Sequence, residues 1–167
     1  TKLSNEILAL SYAKNFKIEC IGLRFFTVYG PYGRPDMAYY SFLNKLKKNI
    51  PIVVFNRGVM KRDFTYIDDV IRAVIEVSKM KVKNYHLILN IGKGKPDNLM
   101  NLINLLQINY GKKFKINFNS GIPKGDIKKT YSNISKAKKL IKFKPKVDLE
   151  RGIKKFVDWY KNFYEIK

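Results

Sequence analysis

The residues best suited to chemistry stand at the end of a buried strand and in the turn that follows it. Thr27 lies near the end of an apolar run over residues 18–28, and ligands of α/β proteins bind beyond the carboxyl ends of strands. Arg34 follows in the turn-rich segment 31–36, and a guanidinium group can hold a carboxylate with two parallel hydrogen bonds. The structural alternatives are packing for Thr27 and an exposed turn position for Arg34.

Several other polar groups are poor candidates for a reactive site. Asp68 and Asp69 are adjacent at a helix start, where neighbouring side chains do not face each other, and a capping role explains Asp68. With one histidine, His86, and one cysteine, Cys20, neither a zinc site nor a Cys–His pair can be built, and we expect no metal. Cys20 is predicted to be a small core residue. The segment 92–95, Gly-Lys-Gly-Lys, lacks the spacing of a phosphate-binding loop.

The charge of the chain is strongly positive, at +21 over 167 residues. Of the 34 basic residues only six are arginine, and the lysines are spread along predicted helix faces instead of forming one patch. We therefore expect no nucleic-acid partner, although a basic nucleic-acid-binding module stays open as an alternative. No apolar run approaches the ~20 residues of a membrane span, so no membrane partner is expected. The single cysteine is consistent with a cytoplasmic location.

The elements that must position these residues alternate between strands and helices, which indicates an α/β fold. Helices are predicted over residues 3–15, 39–48, 70–80, 98–108, 135–141 and from 149 onward. Strands are predicted over residues 18–28, 52–55, 64–67, 86–91 and 115–118. The run over 18–28 is nearly continuous in apolar character, which is typical of a parallel strand that is covered on both faces.

Two segments carry a resemblance to a known family: LRFFTVYGP at 23–31 and KRDFTYIDDV at 61–70. The chain resembles the extended short-chain dehydrogenases/reductases that act on nucleotide sugars, and most of all the UDP-glucuronate 4-epimerases. The resemblance implies the C-terminal part of such an enzyme, with an incomplete Rossmann-type sheet and a small α/β substrate-binding domain. Residues 1–30 would be the trailing helix and strand of the NAD-binding domain, with 63–80 packing back on it. Residues 31–167 would form mainly the nucleotide-sugar-binding domain.

The resemblance also implies a catalytic and cofactor role near the first residue. Lys2 would be the lysine of a Tyr-x-x-x-Lys motif whose tyrosine lies three residues before Thr1. Such a pair shares one helix face, and the ammonium charge lowers the pKa of the phenol so that it can act as a base. Lys2 and Phe25 would contact the cofactor, NAD. We therefore expect a fragment that is cut inside its own active site, inactive and poorly folded by itself.

The remaining site residues implied by the resemblance bind the substrate. Thr27 and Arg34 would reach the C5 carboxylate of the sugar, and Phe55 would lie near the uracil ring. Arg62 would bind the diphosphate of UDP, and Asp126 would bond the ribose hydroxyl groups.

The implied activity is an NAD-dependent interconversion of UDP-glucuronate and UDP-galacturonate through a 4-keto intermediate. The full-length enzyme is expected to be a cytoplasmic homodimer in polysaccharide biosynthesis. Other extended short-chain dehydrogenases/reductases stay open as alternatives: a UDP-hexose or UDP-N-acetylhexosamine 4-epimerase, a dehydratase or a decarboxylase.

Overall fold

A computed structural model of the chain describes residues 1–83 and 85–166. Within that part, the helices are α1 Lys2–Phe16, α2 Ala38–Lys47, α3 Ile67–Ser78, α4 Leu99–Tyr110, α5 Ser135–Ile141 and α6 Leu149–Phe163. The strands are β1 Cys20–Phe25, β2 Thr27–Tyr29, β3 Ile52–Val54, β4 Lys61–Arg62, β5 Phe64–Tyr66, β6 His86–Ile91, β7 Asp97–Asn98 and β8 Ile116–Phe118. The predicted α/β class is confirmed. Among the described residues, no helix is both long enough and apolar enough to cross a membrane.

The strands pair two by two, and three of the four pairs are parallel. The parallel pairs are β1 with β6, β2 with β5, and β3 with β8, while β4 and β7 are antiparallel. The prediction of one strand over 18–28 is wrong, because the chain changes partner at Phe26. The amide of Phe26 still donates to Ile91 at the end of β6, whereas the next amide, that of Thr27, donates to Asp63 just before β5.

Two clusters of apolar side chains form the core. The larger cluster joins α2, α4 and α6 to β3 and β5 and is rich in aromatic rings such as Tyr39, Phe64 and Phe156. The smaller cluster joins α3, α5 and β6. The amphipathic pattern predicted from residue 149 onward is confirmed, because Ile153 and Phe156 of α6 are fully buried. The division into a trailing Rossmann part and a substrate domain stays a prediction.

The first helix and strand are less covered than their sequences predict. Leu3, Ile7 and Phe16 of α1 are 65%, 59% and 64% exposed, so the apolar pattern of this helix is not matched by packing among the described residues. Strand β1 is half-buried at best, and its end is exposed. The prediction that both faces of this strand are covered is therefore wrong. Cys20, predicted to lie in the core, is half-buried and free.

The predicted helix start at Asp68 also needs correction. Helix α3 begins at Ile67 with Tyr66 as its N-cap residue, so Asp68 and Asp69 both lie in the first turn. Asp68 is exposed and lies 3.4 Å from the ammonium group of Lys155. Asp69 is fully buried and accepts hydrogen bonds from the backbone amides of Lys146 and Val147 at 2.9 and 3.0 Å. The two carboxylates thus have separate structural roles.

Candidate ligand-binding site

A cavity of about 550 Å³ lies between α2 and the strands β2 to β5. It brings together four of the five residues predicted to bind substrate: Thr27, Phe55, Arg62 and Asp126. These residues are separated by up to 99 positions in the chain, so only the fold brings them to one place. The other lining residues are Asp36, Met37, Ala38, Tyr39, Ser41, Phe42, Lys45, Val53, Met60, Phe64 and Leu99. A mostly apolar wall with a few polar groups is typical of small-molecule sites.

The strongest polar interaction in this cavity is the ion pair between Arg62 and Asp126. The guanidinium nitrogen Nη2 of Arg62 lies 2.5 Å from Oδ1 of Asp126, and the arginine side chain is only 16% exposed. A second nitrogen of the same group donates to the carbonyl oxygen of Lys61 at 2.9 Å. The pair holds Arg62 against the wall of the cavity, while the side chain of Asp126 stays 41% exposed.

Thr27 is positioned by the parallel pairing of β2 with β5. Thr27 lies opposite Phe64 in the register of the two strands. The amide of Thr27 donates to the carbonyl oxygen of Asp63 at 3.1 Å. Thr27 is half-buried and lines the cavity at the start of β2.

Asp63, which the sequence analysis did not single out, holds the loops beside the cavity together. Its carboxylate is fully buried and accepts hydrogen bonds from the amides of Lys93, Gly94 and Ser132 at 2.7, 3.0 and 3.0 Å. The hydroxyl group of Ser132 donates to it as well, at 2.5 Å. The Gly-Lys-Gly segment therefore uses its amides to bind an internal carboxylate, which agrees with its rejection as a phosphate-binding loop. Arg62 precedes Asp63 directly, so this network also anchors the cavity wall.

Arg34 is the predicted substrate residue that does not line this cavity. Its side chain is 78% exposed and makes a bidentate ion pair with Asp36, with Nη2–Oδ2 at 2.6 Å and Nε–Oδ1 at 3.1 Å. The hydrogen bond from Arg34 lowers the pKa of the Asp36 carboxyl group below its ordinary value. Asp36 lines the cavity, whereas Arg34 lines a neighbouring one of about 450 Å³ that also contains Phe25.

The two residues predicted to contact the cofactor lie near the carboxyl end of β1. Phe25 is the last residue of that strand and is 49% exposed. Lys2 is exposed in the first turn of α1. An ion pair between Glu6 and Arg24, with oxygen–nitrogen distances of 2.6 and 2.7 Å, ties the start of α1 to this strand end. Lys2 lies one turn before Glu6, so both candidates belong to the same edge of the fold.

Several residues that line the cavity from the α2 segment were not predicted from the sequence. Ser41 and Lys45 are four residues apart, which places them on one face of the helix, and both line the cavity together with the N-cap residue Met37. The opposite face is buried in the core through residues such as Tyr40 and Leu43. This spacing was visible in the sequence, but only the fold shows which face of α2 meets a cavity.

The other polar candidates have no place in this cavity. Asp68 and Asp69 make the structural contacts described above. His86 is half-buried at the start of β6, and its Nε2 atom lacks a hydrogen-bond partner among the described residues. In the same part of the chain, no group of three His, Cys, Asp or Glu side chains is arranged to hold a metal ion.

Comparison with known proteins shows which protein family the chain belongs to. Residues 1–92, more than half of the chain, match the model of the NAD dependent epimerase/dehydratase family. The chain belongs to this family, and the expected cofactor, NAD, is confirmed as the cofactor of the family.

Individual relatives show which members of this family the chain resembles. An uncharacterized protein of Methanocaldococcus jannaschii is 46% identical over 160 residues, which cover 96% of this chain and 48% of that protein. A UDP-glucuronate 4-epimerase of Thermodesulfobacterium geofontis is 39% identical over 170 residues, covering 99% and 50%. The crystal structure of UDP-glucuronic acid 4-epimerase from Bacillus cereus with UDP-glucuronic acid and NAD matches with a TM-score of 0.89 at 38% identity, covering 98% of this chain and 52% of that one. The chain thus spans about half the length of the relatives it matches. The predicted likeness to extended short-chain dehydrogenases/reductases is confirmed.

Proposed function

We propose that the intact protein is an NAD-dependent UDP-sugar 4-epimerase that interconverts UDP-glucuronate and UDP-galacturonate. The observation that carries this proposal is the cavity in which Thr27, Phe55, Arg62 and Asp126 meet. Its volume of about 550 Å³ falls within the range of sites for small ligands. The similarity to UDP-glucuronate 4-epimerases supports the choice of substrate.

Each polar group of the cavity suits one part of a UDP-sugar. The guanidinium group of Arg62 can turn from Asp126 to a diphosphate, because phosphate oxygens accept charge-assisted hydrogen bonds in the same fork geometry as a carboxylate. Asp126, once released, can accept hydrogen bonds from ribose hydroxyl groups. Phe55 offers an aromatic surface to the base, and Thr27 offers a hydroxyl group to the sugar.

The end of β1 that carries Phe25 and the start of α1 that carries Lys2 suit one end of the cofactor. Dinucleotides bind at the carboxyl ends of parallel strands; Phe25 is exposed at that end of β1, and Lys2 is exposed in the first turn of α1. NAD, when bound, supplies the reversible oxidation of the sugar at C4. Lys2 would favour the phenolate form of a tyrosine one helical turn before it, and that phenolate would take the proton of the 4-hydroxyl group. The tyrosine itself, expected before Thr1, stays a prediction.

A second candidate substrate is an uncharged UDP-hexose, and the position of Arg34 favours it. This arginine was expected to bind the sugar carboxylate, but it is paired with Asp36 and lies outside the lining of the cavity. To bind the sugar carboxylate of UDP-glucuronate, Arg34 must first break its ion pair with the carboxylate of Asp36. This exchange of partners costs little, because an ion pair between exposed side chains is screened by water and contributes little to stability.

The test is turnover of the two substrates by the intact protein and by its Arg34→Ala variant. We expect the protein to form UDP-galacturonate from UDP-glucuronate, observed by NMR of the sugar protons, and the variant to lose this activity. Arg151→Ala, which changes an exposed arginine on α6, is the matched control. Turnover of UDP-glucose without turnover of UDP-glucuronate would favour the second candidate. No turnover of any UDP-sugar, together with salt-sensitive binding of nucleic acid, would refute the proposal.

The proposal includes three further expectations from the sequence. The protein would act in the cytoplasm as a homodimer. Residues 1–30, with 63–80, would belong to the NAD-binding domain, and residues 31–167 mainly to the sugar-nucleotide domain. The location is supported only by the single cysteine, and the dimer and the domain division only by the resemblance.

A further inference from the structure

Lys45 is a basic residue of the cavity that neither the sequence motifs nor the proposed function uses. The other charged lining residues are already paired: Arg62 with Asp126, and Asp36 with Arg34. Over residues 1–83 and 85–166, the ammonium group of Lys45 makes neither an ion pair nor a hydrogen bond. The residue is half-buried, so it holds a charged donor against the cavity with no partner from the protein.

The position of Lys45 along α2 indicates which part of a nucleotide sugar it meets. Met37, at the start of α2, also lines the neighbouring cavity beside the β2 loop. Lys45 lies eight residues later, which is about 12 Å along the helix axis. The amide of Ile50, two residues before β3, donates to the carbonyl oxygen of Lys45 at 2.9 Å, so Lys45 adjoins the strand that leads to the lining residues Val53 and Phe55. The proposed function assigns Thr27 to the sugar and Phe55 to the base, so Lys45 lies at the base end.

The chemistry of an ammonium group limits what it can recognise there. Lysine has three N–H donors and no acceptor. The pyrimidine of uridine carries a carbonyl oxygen at position 4, which accepts a hydrogen bond, whereas cytosine carries an amino group there, which donates. A fixed donor next to this position therefore stabilises uracil and opposes cytosine, because two donors would face each other.

We propose that Lys45 determines base specificity by donating a hydrogen bond to O4 of the uracil ring. This inference rests on the proposed function, since it requires a uridine nucleotide in the cavity. It adds to that function a residue that selects the nucleotide part of the substrate independently of the sugar.

Calorimetric titration of the intact protein with UDP and with CDP tests the inference. We expect the wild type to bind UDP about tenfold more tightly than CDP, which corresponds to one hydrogen bond to a charged donor. Lys45→Met should lower the affinity for UDP about tenfold and leave that for CDP within about twofold, while Lys45→Arg should keep the preference. Lys48→Met is the matched control, because Lys48 is exposed just after the same helix and does not line the cavity.

The outcomes separate this inference from the function on which it rests. Equal losses of UDP and CDP affinity in Lys45→Met would indicate a phosphate contact and overturn the base assignment. An unchanged ratio of the two affinities, or no preference in the wild type, would overturn it as well, and the proposed function would stand. A wild type that binds neither UDP nor UDP-glucuronate would instead refute the proposed function. Equal melting temperatures of the variants exclude a general loss of structure.

Discussion

Asp63 provides the sharpest test of how the cavity wall is held in place. Replacing it with alanine removes a fully buried carboxylate that accepts hydrogen bonds from the amides of Lys93, Gly94 and Ser132. These donors belong to two loops that lie 30 or more positions further along the chain. In the variant, the amide of Lys93 could keep Thr65 Oγ1 as its acceptor and the amide of Gly94 could keep Ser132 Oγ. The amide and the hydroxyl group of Ser132 would have to find water or stay unpaired.

The expected cost follows from the number of donors left without a partner. A buried donor that loses its acceptor costs about 1–3 kcal/mol, so the amide and the hydroxyl group of Ser132 together give roughly 2–6 kcal/mol. Water can enter the space left by the carboxylate and recover part of this loss. We therefore expect Asp63→Ala to lower the free energy of unfolding by about 3 kcal/mol. Because Arg62 is the preceding residue, the affinity for UDP should fall as well.

Urea denaturation of the intact protein, followed by circular dichroism, measures this cost. Asp158→Ala is the control, since Asp158 is exposed on α6 and should change the stability by less than about 0.5 kcal/mol. If Asp63→Ala does not fold, Ser132→Ala removes one hydrogen bond from the same carboxylate and should cost about 1–2 kcal/mol. A loss below 1 kcal/mol for Asp63→Ala, or none for Ser132→Ala, would refute the reasoning.

Three further predictions concern the same part of the molecule. Gly92→Ala should lower the free energy of unfolding by about 1–3 kcal/mol, because a Cβ atom there would overlap the side chain of Ser132; unchanged stability in urea would contradict this. Burial raises the pKa of Tyr66 and of Tyr160 from 10.0 to about 12. Since the unfolded chain then ionises first, their contribution to stability should be complete below pH 10 and be lost between about pH 10 and 12; a stability that stays constant over that range would contradict it. Arg62→Ala should weaken UDP binding at least about tenfold in calorimetry, and unchanged affinity would exclude its contact with the diphosphate.

The sequence predicted most elements because their patterns are local. The i, i+3, i+4 spacing of α6 identifies that helix without knowledge of the fold, and the adjacent residues Asp97 and Asn98, either of which could cap a helix, mark the start of α4. The amide of Met100 donates to Asn98 at 2.8 Å, as a capping side chain requires. The break of the predicted strand at Phe26 has no such local signal, because it depends on two different partner strands, β6 and β5, that come much later in the chain.

The candidate site was predictable only in part, because motifs identify some of its residues whereas other contacts join residues that are far apart in the chain. Arg62 and Asp126 were identified from a motif, and the fold shows that they meet. Asp63 and Asp69 were not identified as buried anchors, because their partners lie between 30 and 78 residues away. Arg34 was expected to face a ligand, but the aspartate two residues later competes for it, and sequence alone does not say which carboxylate is bound.

The most direct test of the central claim is a crystal structure of the intact protein with UDP-glucuronate bound. We predict that the nucleotide lies in the cavity between α2 and β3, with the diphosphate within hydrogen-bonding distance of Arg62 and the ribose hydroxyl groups at Asp126. The uracil ring should lie against Phe55. A ligand bound elsewhere, or a diphosphate that does not contact Arg62, would contradict the account.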